Sequence, residues 1–221
     1  MTVWDPTRLQ QPRFARVADL IERLASHHDW PSVAALDDAF APELTRVGVR
    51  LVEAPKAKFT LGSDGTIDLS SLYEVRIVDA GEIPTRPSNG HDFLNALVWA
   101  AFPRAKLALS RELAAVQRTR AAGQASLPNA RTRGHDRLAM IDEGAVVRVQ
   151  GTREVSTWIF GHAIYEHAYA GVLDVRGAAV DLAVPGIEEL ALVDARARID
   201  EHLAASDFAT LVRPGAGVPV D

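Results

Sequence analysis

The chain has 221 residues, long enough to bury a full core, and its 48% apolar and 24% charged shares are those of an ordinary soluble protein. Its net charge of −5 argues against a general nucleic-acid or anionic-membrane partner, both of which need a positive field. With no cysteine, the sequence excludes disulfides, thiolate zinc sites, iron–sulfur ligation and a Cys nucleophile. The opening MTVWDPTRLQQPRF has no apolar signal core, and no apolar run reaches about 18 residues, so neither a secretory leader nor a membrane span is expected. Frequent Ala and Arg with scarce Lys suit a GC-rich bacterial genome, and the expected location is the bacterial cytoplasm.

Residues 1–45 read as an N-terminal helical segment. Phe14, Val17, Leu20, Ile21 and Leu24 recur at helical spacing, Ser32 is placed to cap a short helix through Phe40, and Pro42 is expected to end it. Val47–Val52 and Lys58–Leu61 suggest strands, with a turn at Ser63-Asp64-Gly65. Tyr73–Val78 alternates and is rich in β-branched residues, which predicts the best strand of the chain. Glu82–Gly90, with its Pro and Gly, reads as loop. Helices follow from about Asp92 to Ala101, capped by Asn89 or His91, and from Pro103 to about Ala121.

Gly123–Gly134 resembles a basic linker. Leu138–Ile141 and Ala145–Val149 flank Asp142-Glu143-Gly144, a hairpin signal. Arg153–Tyr169 carries Val155, Trp158, Ile159, Ala163, Tyr165 and Ala168 at spacings that predict one long helix. Ala178–Val184 suggests a strand, Ile187–Ala204 a helix, and 206–221 an extended tail. Elements are mixed without a regular βαβ period. That favours a single α+β domain over 1–221, with several helices packed on a small, mainly antiparallel sheet around one core.

Three polar clusters could carry chemistry. His91 and Asn95 lie one turn apart at a helix start, beside Asp92, where backbone N–H groups favour an anion and His can ligate a metal or carry a proton. His162 and Glu166 share a helix face in FGHAIYEH, a spacing that can chelate one ion. The string HxxxEH matches neither HExxH nor HxxEH. Asp142-Glu143 forms the third. Each has a plain structural alternative: caps, a His–Glu tie and a solvated turn use the same residue types. Arg131, Arg133, His135, Asp136 and Arg137 crowd one segment that could take a phosphate or carboxylate, or could simply be a solvated loop. No GxSxG, Walker A loop or GxGxxG after a strand is present.

The ordered set YEVRIVDAGEIPTR, GHDFLNALVWAAFPRAK, RGHDRLAMIDEGAVV and FGHAIYEHA resembles the bacterial proteins grouped as "domain of unknown function 3025", roughly from Tyr73 to His167. Leu94 stands where that family usually has Phe, and the tail matches less clearly. The resemblance implies that His91, Asp92, Asn95, Asp142, Glu143, His162 and Glu166 belong to recurring motifs; it implies no activity.

Taken together, residues 73–170 form the motif-bearing core, and its polar clusters are expected to meet in one cleft. There His91, Asp142, His162 and Glu166 would hold a divalent metal, zinc or manganese. Asp92 or Glu143 would act as base or orienter, and Arg86, Asn95 and Lys106 would bind a small anionic or phosphoester substrate for hydrolysis. The competing expectation is a non-catalytic binding or scaffold domain, in which the same residues form a buried hydrogen-bond network.

Overall fold

The computed structural model describes residues 4–55, 59–127 and 133–219, with backbone alone at 209 and 212–216. The first part of the chain is short helical pieces: 3-10 turns at Pro6–Gln10 and Pro12–Val17, then α1 (Ala18–Glu22) and α2 (Val33–Leu44). The Ser32 hydroxyl accepts the Ala35 N–H at 3.1 Å, capping α2. Pro42 does not end that helix, which continues to Leu44; only one backbone bond is lost to the missing N–H. The first strand, β1, spans Arg50–Glu53. The Lys58–Leu61 expectation begins outside the described residues, and Leu61 makes only an isolated bridge to Ile67.

Tyr73–Val78 is helical, against the strand expectation: α3 runs Tyr73–Ala80. Val75 packs with Leu72, Ala114 and Ala121 in a small satellite cluster, while Ile77 joins the main core. Gly81, at φ 68°, closes the helix by donating its N–H to the Ile77 carbonyl at 3.0 Å. The chain then forms β2 (Glu82–Thr85), where loop was expected, and pairs parallel with β1. Its Pro84 is tolerated because this two-stranded sheet is all edge.

Next come α4 (Gly90–Ala101), α5 (Pro103–Ala121) and α6 (Arg133–Gly144). In α4 Phe93, Leu94 and Ala96–Ala101 are all buried, so this helix runs through the core. Pro103 opens α5, whose first free N–H groups, on Arg104 and Ala105, donate to the Asp200 carboxylate at 3.1 and 2.8 Å. The expected Asp142-Glu143-Gly144 hairpin is instead the last turn of α6. His135, Leu138 and Ile141 recur every three residues and are buried, a helical face. Of the expected linker, residues 128–132, with Arg131, lie outside the described residues, and Arg133 onward is helix.

From Gly144 the chain enters β3 (Ala145–Gln150), a nearly continuous apolar strand at the sheet centre. It turns at 151–154 into β4 (Val155–Ile159), antiparallel to β3, so the expected helix over 153–169 holds only for α7 (His162–Tyr169). β5 (Arg176–Ala183) returns parallel to β3. After α8 (Leu192–Ala204) and α9 (Phe208–Leu211), β6 (Val212–Pro219) pairs antiparallel with β5, so the tail is extended only in its second part. The sheet order is β4-β3-β5-β6, two antiparallel pairings and one parallel, with helices around it: an α+β fold. Its main apolar cluster runs from Trp4 to Phe208. Among the described residues no helix is long and apolar enough to cross a membrane.

One junction sets the site. The N–H groups of Phe160 and Gly161 both donate to the Ala145 carbonyl, at 3.0 and 2.9 Å, pinning the start of α7 against the end of α6. A Cβ on Gly161 would lie 2.4 Å from the Gly144 nitrogen and 2.5 Å from the Ala145 nitrogen and the Glu143 carbonyl. Gly161→Ala is therefore expected to lower stability by about 1–3 kcal/mol or more, read as a lower urea midpoint.

Candidate metal centre

The side chains that matter come from helix ends. Asn89 caps α4 by accepting the Asp92 N–H at 3.0 Å, which places His91 and Asp92 in the first turn. Asp142 and Glu143 sit in the last turn of α6, and His162 is the first residue of α7. Packing of α4 on α7 brings the first and third together. They meet in a cleft of about 320 Å³ lined by Ala54, Pro55, Tyr73, Glu74, Pro84, Arg86, His91, Asp92, Asn95, Asp142, Glu143 and His162.

At its centre, His91 Nε2 lies 3.2 Å from His162 Nε2, and His162 Nε2 lies 3.3 Å from Glu143 Oε2. One ligand atom from each of the three lies within 4.8 Å of the others. The far nitrogens are already committed. His162 Nδ1 is 3.0 Å from the Asp142 backbone carbonyl, which can only accept, so Nδ1 carries the proton and Nε2 the lone pair. His91 Nδ1 is 3.0 Å from Glu166 Oε2, and a carboxylate likewise accepts. Two lone pairs thus face each other at 3.2 Å, a repulsive arrangement unless a cation or a proton lies between them. Burial holds His162 down at about 4, against the attraction of Asp142, so its ring is neutral at pH 7. Burial and then the Asp142 charge push Glu143 up.

The ion pairs around this trio decide what each carboxylate is available to do. Both Asp92 oxygens face Arg86, whose Nε is 2.8 Å from Oδ2 and Nη2 2.6 Å from Oδ1. The buried Lys106 donates to Asn95 Oδ1 at 2.9 Å and to Asp142. Asn95 in turn donates to the Tyr73 hydroxyl at 2.9 Å. Burial alone would raise the Asp142 carboxyl, but the Lys106 ammonium, by its charge and its hydrogen bond, outweighs it and holds the carboxyl low. Glu74 accepts from Gln117 of α5, and desolvation lifts it to about 7.

The nine residues expected to build the metal and substrate site thus fall in or against one cleft, in a different arrangement from the one expected. Glu143, expected as base or orienter, stands in the trio. Asp142, expected as a ligand, keeps its carboxylate 3.8 Å from His162 Nδ1 and turns to Lys106. Glu166 reaches the outer nitrogen of His91 rather than the trio, and Asp92 is closed off by Arg86. The Arg133–Arg137 segment is away from the cleft: His135 is buried against Arg120 of α5 at 2.7 Å. Sequence reasoning missed Tyr73, Glu74 and Gln117. The first two were assigned to a strand, and only reading Gly81 as a helix stop would have turned them inward.

Residues 59–155 match the family described as "Protein of unknown function (DUF3025)". That segment holds His91 and Glu143 and ends before His162 and Glu166. No curated protein and no solved structure matches the chain significantly. The resemblance read from the ordered motifs therefore stands over residues 59–155, where the chain is similar to the DUF3025 family.

Proposed function

We propose that His91, His162 and Glu143 hold one divalent cation, zinc or manganese, and that the cleft hydrolyses a small ester or amide. The observation that carries this is the pair of imidazole lone pairs facing each other at 3.2 Å, each fixed by an acceptor on its far nitrogen. That pattern of outer acceptors is how metal-binding histidines are oriented. Two of the three spacings, those from His162 Nε2, fit as well. A Zn–N bond of about 2.0–2.1 Å gives a tetrahedral ligand edge of about 3.3 Å, against 3.2 and 3.3 Å here. Three protein ligands leave a position for water, whose pKa a bound zinc ion lowers to about 7.

The chain's other residues then have supporting roles. Glu166 and the Asp142 carbonyl orient the two rings, and Asp92 fixes Arg86 at the rim. Lys106 and Arg86, expected to bind an anion, are each matched by a carboxylate. This balance favours an uncharged substrate over a phosphoester, which would need unmatched positive charge. The half-exposed His91, Glu143 and Glu166 side chains favour an open site over a sealed scaffold network.

The test is elemental analysis with a hydrolysis assay on 4-nitrophenyl acetate. The expected result is about one zinc or manganese per chain, with hydrolysis lost on chelation and restored by adding the ion back. Protein that stays folded, takes up no ion and shows no metal-dependent hydrolysis supports the scaffold alternative instead.

A further inference from the structure

Hydrolysis of an unactivated ester or amide needs a proton for the departing group, and the trio has none to give. Around it Glu143 is itself placed as a ligand, and two carboxylates are paired with cations, Asp92 with Arg86 and Asp142 with Lys106. A carboxylate so paired is held ionised and is a poor acid. Glu74 differs. It lines the same cleft, and its hydrogen-bonding partner from the neighbouring helix is the neutral amide of Gln117. This amide and the residue's own backbone N–H are both neutral donors, which hold the carboxyl without the full positive charge that would force it to ionise.

We infer that Glu74, seated by Gln117, is the proton donor to the leaving group in this cleft, an inference that rests on the hydrolytic reading above. In that step the water oxygen forms a bond to the carbonyl carbon as the water gives up one proton to solvent. The carbon–oxygen bond to the leaving group then breaks, and the departing oxygen takes the proton of the Glu74 carboxyl. Glu74 is reprotonated from solvent, so the sum is ester plus water giving acid plus alcohol. Desolvation, chiefly, lifts Glu74 to about 7, where an acid can both hold and release its proton near neutrality. The groups facing it are Asp142 of α6, which raises it, Lys106 and Gln117 of α5, which lower it, and Tyr73 on its own helix. Arg86, His91, Asp92, Glu143 and His162 of the same cleft complete the set.

The inference is tested first without any substrate. Carboxyl carbon NMR of the full chain is expected to show one glutamate resonance titrating near pH 7, absent in Glu74→Gln. Titration below about pH 5 overturns the inference, whatever the cleft hydrolyses. Stability gives a second reading. A raised carboxyl pKa contributes stability that is full below the unfolded value and is lost as pH rises through about 7. The urea midpoint of Glu74→Gln should therefore rise relative to wild type between pH 5 and pH 8, and an unchanged difference counts against the inference.

Kinetics then separate the two readings. On zinc-loaded protein, Glu74→Gln is expected to lose at least about tenfold more rate on methyl acetate than on 4-nitrophenyl acetate, because 4-nitrophenolate departs without a proton. Equal losses on the two esters overturn the role of Glu74. No zinc-dependent hydrolysis by the wild type overturns the hydrolytic reading itself. Gln117→Ala, which keeps the carboxyl, is expected to shift the titration without abolishing it, and guards against a folding defect in Glu74→Gln.

Discussion

His162→Ala is expected to weaken zinc binding by more than about 100-fold while the protein stays folded. Loss of an outer orienting group alone typically costs about 10–100-fold in metal affinity, and His162 is placed as a ligand. Glu166→Ala provides the internal comparison. Its carboxylate contacts only the far nitrogen of His91, so a loss within that 10–100-fold range is expected, smaller than for His162→Ala. The measurement is competition against a chromophoric chelator, with circular dichroism to confirm the fold. If both variants bind zinc as the wild type does, the trio is not a metal site. If both fail to fold with no change attributable to metal, the polar cluster is structural.

The second large effect concerns stability. Lys106→Ala is expected to destabilise the fold by about 3–5 kcal/mol, the usual cost of cutting one partner from a buried ion pair. Lys106 has a 3% exposed side chain, and its ammonium bonds Asn95 and Asp142 and lies 5.5 Å from the Trp99 ring centre. Truncation leaves Asp142 without its cation and opens a cavity beneath the cleft floor. Removing both charges should cost less: Lys106→Met with Asp142→Leu is expected to recover most of the loss, because an ion pair replaced by apolar groups of similar volume is often near neutral. Urea unfolding of the two singles and the double gives the coupling directly. A loss below about 1 kcal/mol for Lys106→Ala would mean that the pair is solvated and does not hold the site together.

The candidate site was more legible in the sequence than the fold that builds it. His91, Asp92, Asn95, Asp142, Glu143, His162 and Glu166 stood out because each is a polar residue at the edge of an apolar run, and the structure brings them to one cleft. Their individual contacts were not legible. Whether Glu143 or Asp142 faces the histidines depends on which side of the last turn of α6 each occupies, and that turn was read as a hairpin. Short apolar windows caused both main errors of secondary structure. Tyr73–Val78 satisfies a period of two as well as a helical one, and tertiary packing against α5 decides for the helix. Val155–Ile159 fits a helical pattern when read together with α7, although Gly161 separates them. The long helices α4 and α5 were readable because Asn89, Pro103 and a sustained apolar face agree with one another.

The most direct test is an anomalous difference map from crystals of the zinc-loaded protein, recorded at the zinc edge. One peak per chain is predicted, about 2.0–2.1 Å from the Nε2 atoms of His91 and His162 and about 2.0–2.2 Å from a Glu143 oxygen. Zinc found elsewhere, or a map without a peak between two imidazoles that still face each other, would contradict the metal centre and the hydrolysis derived from it.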